Sequence, residues 1–309
     1  MRPWDVIVVG EIYVDHVLSG FERWPGPGEE VFTDHYTREI GGGCAITACA
    51  LSRLGRSVAL VGLIGEDDGD WVQRRLNDFG VACDGMRKLP GPTGVTLSVS
   101  TRQDRSFFTH AGVNRQLTTA LLAADAPLSL SRARHIHFAM PLARPLAATL
   151  LPALAEAGCT TSLDVGYQPD WLTDPANYPT LQGVDYLFPN EKEGALLSGS
   201  ATPEDYFGFT RALGLRSAVL KLGARGATRE SNGARIAVSP PNVFAIDSTG
   251  SGDAFDAGFI DGLIEGAGME ECLLRACICG ALSTRAAGAL GGLPSRAELR
   301  RTHEQTYGS

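Results

Sequence analysis

Short apolar segments alternate with amphipathic ones along most of this chain. Residues 5–10, DVIVVG, are a β-branched run that ends at glycine, which predicts a buried strand. Segment 45–54 then has apolar residues at helical spacing and stops at Gly55, which predicts a helix. Further strands are predicted at 57–65 (SVALVGLIG), 135–140 (HIHFAM), 160–165 (TTSLDV), 184–189 (VDYLFP) and 218–223. Further helices are predicted at 68–79, 143–157, 252–266 and 269–287, and a short helix is predicted to start near 191. This alternation predicts an α/β fold with a doubly wound, mostly parallel sheet.

Two segments depart from this alternation. Residues 12–39 contain aromatics, prolines and short β-like pieces without helical periodicity, and 93–101 with 105–109 have the pattern of a hairpin. We expect both to belong to one small β lid, discontinuous in sequence, over approximately 12–39 and 93–112. The remaining residues complete a single domain spanning 1–309.

Composition and charge narrow the class of protein. The chain has 309 residues, 44% of them hydrophobic and 20% charged, which is typical of a soluble globular protein. The formal net charge is −8 with scattered lysines and arginines, so we expect no nucleic-acid or membrane partner. No apolar run is long enough to span a bilayer, and the N-terminus leads into a strand-like segment, so a cytoplasmic location is predicted. The seven cysteines lack zinc-like pairing and are interpreted as reduced, buried residues.

A glycine-rich turn before an apolar helix carries the strongest chemical signal. It reads DSTGSGDAF at 247–255. A helix N-terminus exposes unpaired backbone N–H groups and positive potential, so this turn predicts an anion hole. The amides expected to approach a phosphate are those of Gly250, Ser251 and Gly252. Asp253 lies in the first helical turn, where the same potential keeps a carboxylate ionised, and it is the candidate base.

A purely structural interpretation of this turn is that Thr249 or Asp253 caps the helix. A dinucleotide fingerprint is excluded because no third glycine completes GxGxxG and because the turn comes late in the chain. The stretch resembles the DTTGAGD signature of ribokinase-type (PfkB-type) carbohydrate kinases, with serine at two positions. Other segments resemble that family in the family's own order, nearly end to end. The resemblance implies a ribokinase-like fold with ATP and Mg²⁺ as cofactors.

On the substrate side, the resemblance implies a role for the residues around the lid. Asp15, after the first strand, is implied to accept hydrogen bonds from substrate hydroxyls. Gly41-Gly42-Gly43 is similar to a second family signature, in which glycines bend beneath the substrate and form a hinge. Arg105 and Asn114 are placed near the substrate; a plain Gly-x-Asn turn is the alternative for Asn114. Ile46 stands where relatives have a substrate-binding asparagine, which leaves the identity of the substrate open.

On the nucleotide side, Asn190 and Glu193 match an NxxE motif that is implied to arrange Mg²⁺ and phosphates through water, although the same pair is also close to a capping box. Lys221 is implied to neutralise phosphate charge, with an exposed strand end as the alternative. The remaining nucleotide-binding residues implied by the resemblance are Gly223, Gly226, Thr249 and Gly288. Asp247 is the candidate for a monovalent cation, K⁺.

The resemblance predicts phosphorylation of a hydroxyl on a sugar or sugar-like molecule, so the expected partner is a sugar or nucleoside. Two lids are expected to pair in a homodimer. One alternative is a nucleoside kinase of the same family, because Tyr13, Phe32, Phe107 and Phe108 offer faces for a base. The other is a non-catalytic sugar- or nucleotide-binding relative, which the departure at Ile46 keeps open.

Overall fold

A computed structural model of the chain describes residues 2–102, 105–122, 126–231 and 233–308, without the side chains of Arg105, Pro127 and Ser231. The strands are β1 Trp4–Gly10, β2 Tyr13–Phe21, β3 His35–Gly41, β4 Val58–Gly65, β5 Ala82–Leu89, β6 Gly94–Thr101, β7 Arg105–His110, β8 Ala133–Ala139, β9 Thr160–Leu163, β10 Tyr186–Leu187, β11 Ala218–Lys221, β12 Ala227–Ser231 and β13 Ala234–Val238. The α-helices are α1 Gly43–Arg53, α2 Gly69–Asp78, α3 Leu117–Leu121, α4 Ala126–Leu130, α5 Arg144–Glu156, α6 Pro169–Leu172, α7 Tyr178–Gly183, α8 Glu191–Ser198, α9 Pro203–Leu213, α10 Ser251–Glu265, α11 Met269–Ser283 and α12 Arg296–Tyr307.

The main sheet has nine strands in the order β13-β12-β11-β10-β9-β8-β1-β4-β5. Neighbouring strands from β11 to β5 in that order pair in parallel, whereas β12 runs antiparallel to both of its neighbours, β11 and β13. The strand order reverses between β1 and β8, so a crevice opens there at the carboxyl ends of the strands. The predicted α/β fold with a doubly wound, mostly parallel sheet is confirmed.

Helices cover both faces of this sheet. Val6 and Val8 of β1 face one apolar cluster, which includes α1, α10 and α11. Ile7 and Val9 face a second cluster, which includes α5 and α9. Because successive side chains of a strand alternate between faces, β1 is buried on both sides, which explains its continuous apolar sequence.

A second sheet has four strands in the order β3-β2-β6-β7. The predicted hairpin is present as β6 and β7, and β6 pairs in parallel with β2. Strands β2, β6 and β7 lie within the two segments predicted for the lid, and β3 extends two residues beyond the first segment. Asp15 lies beside Thr96, and Thr96 lies beside Thr109, so these three side chains share one face of the sheet.

One boundary prediction is wrong. Helix α11 ends at Ser283 instead of continuing to residue 287. The carbonyl of Thr284 accepts hydrogen bonds from the backbone N–H groups of Ile246, at 2.7 Å, and Asp247, at 3.1 Å. These bonds anchor the glycine-rich turn to the end of α11, and they use a carbonyl that a longer helix would pair internally.

The cysteine prediction agrees with the structure. All seven cysteines are free, and six are buried. Cys277 and Cys279 lie within α11, and burial raises the pKa of the Cys277 thiol to about 12. The buried thiols are therefore small apolar groups in the packed interior.

Candidate active site

The glycine-rich turn leads directly into α10. Gly250 is the N-cap residue of this helix, in a left-handed conformation with φ of 74°, and no side chain caps the helix. The interpretation of Thr249 or Asp253 as the cap is therefore wrong. A Cβ on Gly250 would lie 2.9 Å from the Ala289 Cβ and 3.1 Å from the Ile46 Cγ2. Both the backbone conformation and the close packing thus require glycine.

Asp247 ties the turn to the loop after α11. Its Oδ1 accepts hydrogen bonds from the Thr249 N–H at 3.0 Å and the Thr249 hydroxyl at 2.7 Å. Its Oδ2 accepts from the Gly288 N–H at 3.0 Å. The carboxylate therefore holds together Thr249 and Gly288, two residues that the resemblance placed around the nucleotide. Its role as a ligand of K⁺ stays a prediction.

Asp253 and Asp15 lie on either side of Gly41-Gly42-Gly43. A Cβ on Gly43 would lie 2.6 Å from Asp253 Oδ1, and a Cβ on Gly41 would overlap the Asp15 carboxylate. Two residues of chain span at most about 7 Å, so the two glycines that these carboxylates lie beside are close neighbours. The tertiary structure thus joins the first strand's aspartate to the aspartate of α10 through the predicted glycine hinge.

Lys221 occupies the centre of an acidic cluster around Asp253. Its Nζ lies 2.6 Å from Asp164 Oδ2 and 3.3 Å from Asp256 Oδ1, and the lysine is only 8% exposed. The interpretation of Lys221 as an exposed strand end is therefore wrong. Carboxylate oxygens of Asp164, Asp253 and Asp256 lie within 4.8 Å of one another. The ammonium group balances part of this negative charge.

The cluster sets the protonation of its members. Burial raises the pKa of Asp253 to about 7, and the charge of Asp164 adds to this shift while Lys221 opposes it. Burial would raise the pKa of Asp164, but the Lys221 charge together with hydrogen bonds from Asp256, Lys221 and the Gly166 N–H outweighs it and lowers that pKa to about 2. Burial likewise opposes the charged form of Lys221, yet the charges of Asp164 and Asp256 hold its pKa above the usual value. Lys221 and Asp164 are thus the stable ion pair, whereas Asp253 can change its protonation state near neutral pH.

Asn190 and Glu193 sit at the start of α8. The Asn190 side chain accepts from the Glu193 N–H at 3.0 Å, and Glu193 Oε2 accepts from the Asn190 N–H at 2.8 Å, which makes a capping box. Asn190 also forms a parallel β-bridge with Lys221, so the cap lies beside the acidic cluster. Burial and the charge of Asp164 raise the pKa of the Glu193 carboxyl. The capping box is present at the position where the resemblance implies Mg²⁺ placement.

A cavity of about 500 Å³ opens beside the glycine-rich turn. Its lining includes Lys221, Ser251, Gly252 and Phe255, together with Gly223 and Gly226. A Cβ on Gly226 would overlap the Val238 carbonyl oxygen, so a larger residue would displace this turn. The opposite wall is formed by 239–243 and by Gly280, Ala281 and Thr284 of α11 and its end. The predicted anion hole therefore faces a cavity of the size that a nucleotide needs.

The residues predicted on the substrate side are Asp15, Asn114, Ile46 and Arg105, and each has a different environment. Burial raises the pKa of Asp15 to about 6, with repulsion from Glu39 adding to it and a hydrogen bond from Thr96 opposing it. Asn114 is 2% exposed, and its Nδ2 donates to the Ile12 carbonyl at 2.8 Å, so its amide fixes the connection after β1. Ile46 is buried against Gly250. Arg105 belongs to β7, but its side chain lies outside the described residues.

Sequence reasoning missed Asp164, Asp256 and His137. Asp164 follows β9, and Asp256 comes three residues after Asp253 on the same helix. The sequence contained a signal for each. Polar residues at the carboxyl ends of parallel strands meet at one edge of the sheet, which applies to Asp164. Residues three apart share a helix face, which applies to Asp256. His137 lies inside β8 and is 0% exposed, and the strand pattern by itself predicted no role for it.

Across the described ranges, no helix combines the length and apolar character needed to span a membrane.

Known proteins share both the sequence and the fold. The model of the pfkB family carbohydrate kinases matches residues 5–296. The ATP-dependent ribose-1-phosphate kinase of Halopiger xanaduensis is 30% identical over 289 residues, covering 92% of this chain and 93% of that protein. The 2-dehydro-3-deoxygluconokinase of Bacillus subtilis is 28% identical over 282 residues, covering 85% and 86%.

Solved structures are similar over the whole chain. Arabidopsis thaliana ribokinase, complexed with ribose and ATP, has a TM-score of 0.85 at 27% identity and covers 98% of this chain and 99% of its own. An Escherichia coli protein solved in complex with ATP and Mg²⁺ has a TM-score of 0.84 at 25% identity, with the same coverage.

Proposed function

The chain belongs to the pfkB family of carbohydrate kinases, and from this premise we propose that Asp253 is the proton acceptor in ATP-dependent phosphorylation of a sugar hydroxyl. The protein itself is an ATP-dependent carbohydrate kinase. One observation supports the proposed role of Asp253 above the others. Asp253 directly follows Ser251 and Gly252, which line the cavity beside the turn, and its Oδ1 lies next to Gly43, two residues along the chain from the glycine beside Asp15. A group in that position faces both reactants.

The mechanism follows from positions and charges. Phosphoryl transfer depends on alignment and on neutralising charge more than on covalent participation by the protein. Asp253 accepts the proton of the attacking hydroxyl, and the amides of Gly250 to Gly252 stabilise negative charge that develops on the transferred phosphoryl group. The Lys221 ammonium lies next to Gly252, where a Cβ would be 3.3 Å from its Nζ. It supplies positive charge at the base of the same turn.

ATP and Mg²⁺ fit the described residues. The cavity has room for the nucleotide, and the buried Glu193 carboxyl is held by Asn190 beside the phosphate-binding turn. When bound, Mg²⁺ neutralises phosphate charge and arranges the phosphate oxygens for transfer. Asn190 and Glu193 are the residues that would hold it, through water. The second sheet would close over the sugar by a hinge at Gly41 to Gly43 and exclude water from the reaction.

Asp15 points to a hydroxyl-rich acceptor. A buried carboxyl accepts hydrogen bonds from sugar hydroxyls, and Thr96 and Thr109 add hydroxyl groups on the same face, 3.4 Å apart. Ile46 adds no polar contact. Phe107 shares the Asp15 face because it lies two residues from Thr109, whereas Phe108 lies on the other face. Phe107 is the observation that favours a nucleoside acceptor as the second candidate.

An acceptor panel tests this proposal. ATP consumption and thermal shift are measured with free sugars, sugar acids and nucleosides, each with Mg²⁺. We expect turnover with at least one free sugar or sugar acid. Turnover with nucleosides alone contradicts the sugar assignment. A protein that turns over no acceptor, but is stabilised by ATP and a sugar together, supports the non-catalytic alternative.

The pKa of Asp253 predicts the pH dependence of turnover. A base whose pKa is raised to about 7 is protonated, and therefore unable to accept a proton, at lower pH. The kcat/KM for the acceptor should rise with pH and level off above about 7, with Mg-ATP saturating at every pH. Asp15, with a pKa raised to about 6, should add a second loss at lower pH that Asp15→Asn removes. A flat profile across this range contradicts the assignment.

We also propose that the outer face of the second sheet pairs with a second copy of the chain. Tyr36 and Phe108 are 53% and 54% exposed on this face, and Trp24 stacks on Phe108 at 5.9 Å between ring centroids. Sedimentation equilibrium should give the mass of a dimer for the wild type and of a monomer for Phe108→Glu. Leu128→Glu, which charges an exposed residue of α4, is the matched control and should remain a dimer. A monomeric wild type refutes the pairing.

A further inference from the structure

Two buried polar atoms face each other beneath the acidic cluster. They are Nε2 of His137, on β8, and Oδ2 of Asp256, on α10. Both residues are 0% exposed, and neither atom has a hydrogen-bond partner among the residues that the structure describes. The two atoms are 4.0 Å apart. Two buried polar atoms that both lack hydrogen-bond partners are costly, so their juxtaposition requires an explanation.

A direct bond does not explain the pair. A separation of 4.0 Å is too long for a hydrogen bond. Burial lowers the pKa of His137 to about 4, so its ring is neutral and cannot form an ion pair with the carboxyl group. One molecule that is both a donor and an acceptor can satisfy both atoms. Two hydrogen bonds of about 2.8 Å across this gap meet at an angle of about 90°, which water accommodates.

The position of the His137 ring is determined from its other side. Its Nδ1 lies 2.8 Å from the Ser162 hydroxyl, which also lies 2.8 Å from His135 Nε2. His135 Nδ1 is 2.8 Å from the hydroxyl of Thr160, an exposed residue. This chain of hydrogen bonds crosses β8 and β9 from the surface to the gap. It prevents the ring from rotating away from Asp256.

Asp256 in turn contacts the lysine of the active site. Its Oδ1 lies 3.3 Å from Lys221 Nζ, and Lys221 also pairs with Asp164 at 2.6 Å. Asp164 by itself would pull the ammonium toward β9 and away from α10. Asp256 supplies the second contact that keeps Lys221 against Gly252. The orientation of the Asp256 carboxyl group therefore determines where this positive charge lies.

We propose that one buried water molecule bridges His137 Nε2 and Asp256 Oδ2, and that His137 and Asp256 are positioning residues that hold Lys221 beside the phosphate-binding turn. This inference rests on the proposed role of Lys221 in phosphoryl transfer. Neither residue touches a reactant; both act through Lys221.

Two substitutions of His137, with losses of different size expected, test the positioning role. His137→Phe keeps a ring for packing against Phe188, 6.3 Å away between centroids, but removes both nitrogens. His137→Gln loses the ring and keeps a polar end that reaches toward the gap. We expect kcat/KM for ATP to fall about tenfold in His137→Phe and less than about threefold in His137→Gln, with the KM for the acceptor unchanged in both.

The opposite order, with phenylalanine tolerated and glutamine impaired, shows that the ring serves only packing and overturns the inference. Equal losses in both variants also overturn it. His303→Gln is the matched control, because His303 pairs with Glu271 at 2.8 Å near the C-terminus, and it should leave kcat/KM unchanged.

A crystal structure of the wild-type protein supplies a test that needs neither turnover nor a variant that folds. At a resolution that places ordered water, we expect one water within hydrogen-bonding distance of both atoms. A direct bond between the side chains, or an empty gap, refutes the bridge and leaves the proposed kinase mechanism untouched. Conversely, a wild type that is inactive toward every acceptor refutes the proposed function while the water can still be observed.

Discussion

Replacing Asp253 with asparagine is expected to abolish phosphoryl transfer while leaving ATP binding nearly intact. The substitution keeps the shape of the side chain and removes only its ability to accept a proton. General-base catalysis contributes about 10²–10⁴-fold, so kcat should fall by that factor. Steady-state kinetics measures the loss, and calorimetric titration with ATP measures the retained binding.

The matched control for this substitution is Asp70→Asn. Asp70 also lies in the first turn of a helix, α2, but it is exposed and pairs with Lys88. It should retain wild-type turnover, which separates the removal of the base from the general effect of losing a carboxylate at a helix N-terminus. Unchanged turnover in Asp253→Asn would rule out its role as the proton acceptor.

Replacing Gly43 with alanine is expected to lower kcat by about 10²-fold without unfolding the protein, since a displacement of about 1 Å in a reacting group has that effect. The added Cβ would lie 2.6 Å from Asp253 Oδ1, so the carboxylate must move. The Ala139 Cβ, at 3.5 Å, is in ordinary contact, and Gly43 does not adopt the left-handed conformation that alanine disfavours. The midpoint of thermal unfolding should therefore change little.

Gly268→Ala is the control for this second prediction. Gly268 is the N-cap residue of α11 with φ of −63°, and nothing lies within 4 Å of an added Cβ. It should retain both stability and turnover. In addition, Gly43→Ala should cause no further loss in the Asp253→Asn protein, because both substitutions disable the same group. Additive losses would show that Gly43 acts on another part of the site.

The phosphate-binding turn illustrates how much a local pattern predicts. Gly250 was expected to contribute an amide to an anion hole at the start of a helix, and it is the N-cap residue of α10, with φ of 74°. Asn190 and Glu193 were open to two interpretations, and the capping box that the structure contains is compatible with both. The lysine of β11 could not be placed from its own surroundings, because its burial depends on Asp164, which lies 57 residues away in the sequence.

The sequence by itself determined the alternation of most strands and helices, although not α9 and α12, together with the glycine turn at the start of α10 and the membership of the family. These features depend on local periodicity, on backbone freedom at glycine and on residues close together in the chain. Only the tertiary structure decided that Asp164, Asp256 and Lys221 cluster with Asp253, and that Asp15 and Asp253 lie beside opposite ends of Gly41-Gly42-Gly43. The physical reason is that parallel strands and their following segments converge at one edge of the sheet, whatever their separation in sequence. The burial created there, and with it the raised pKa of Asp253, exists only after the chain has folded.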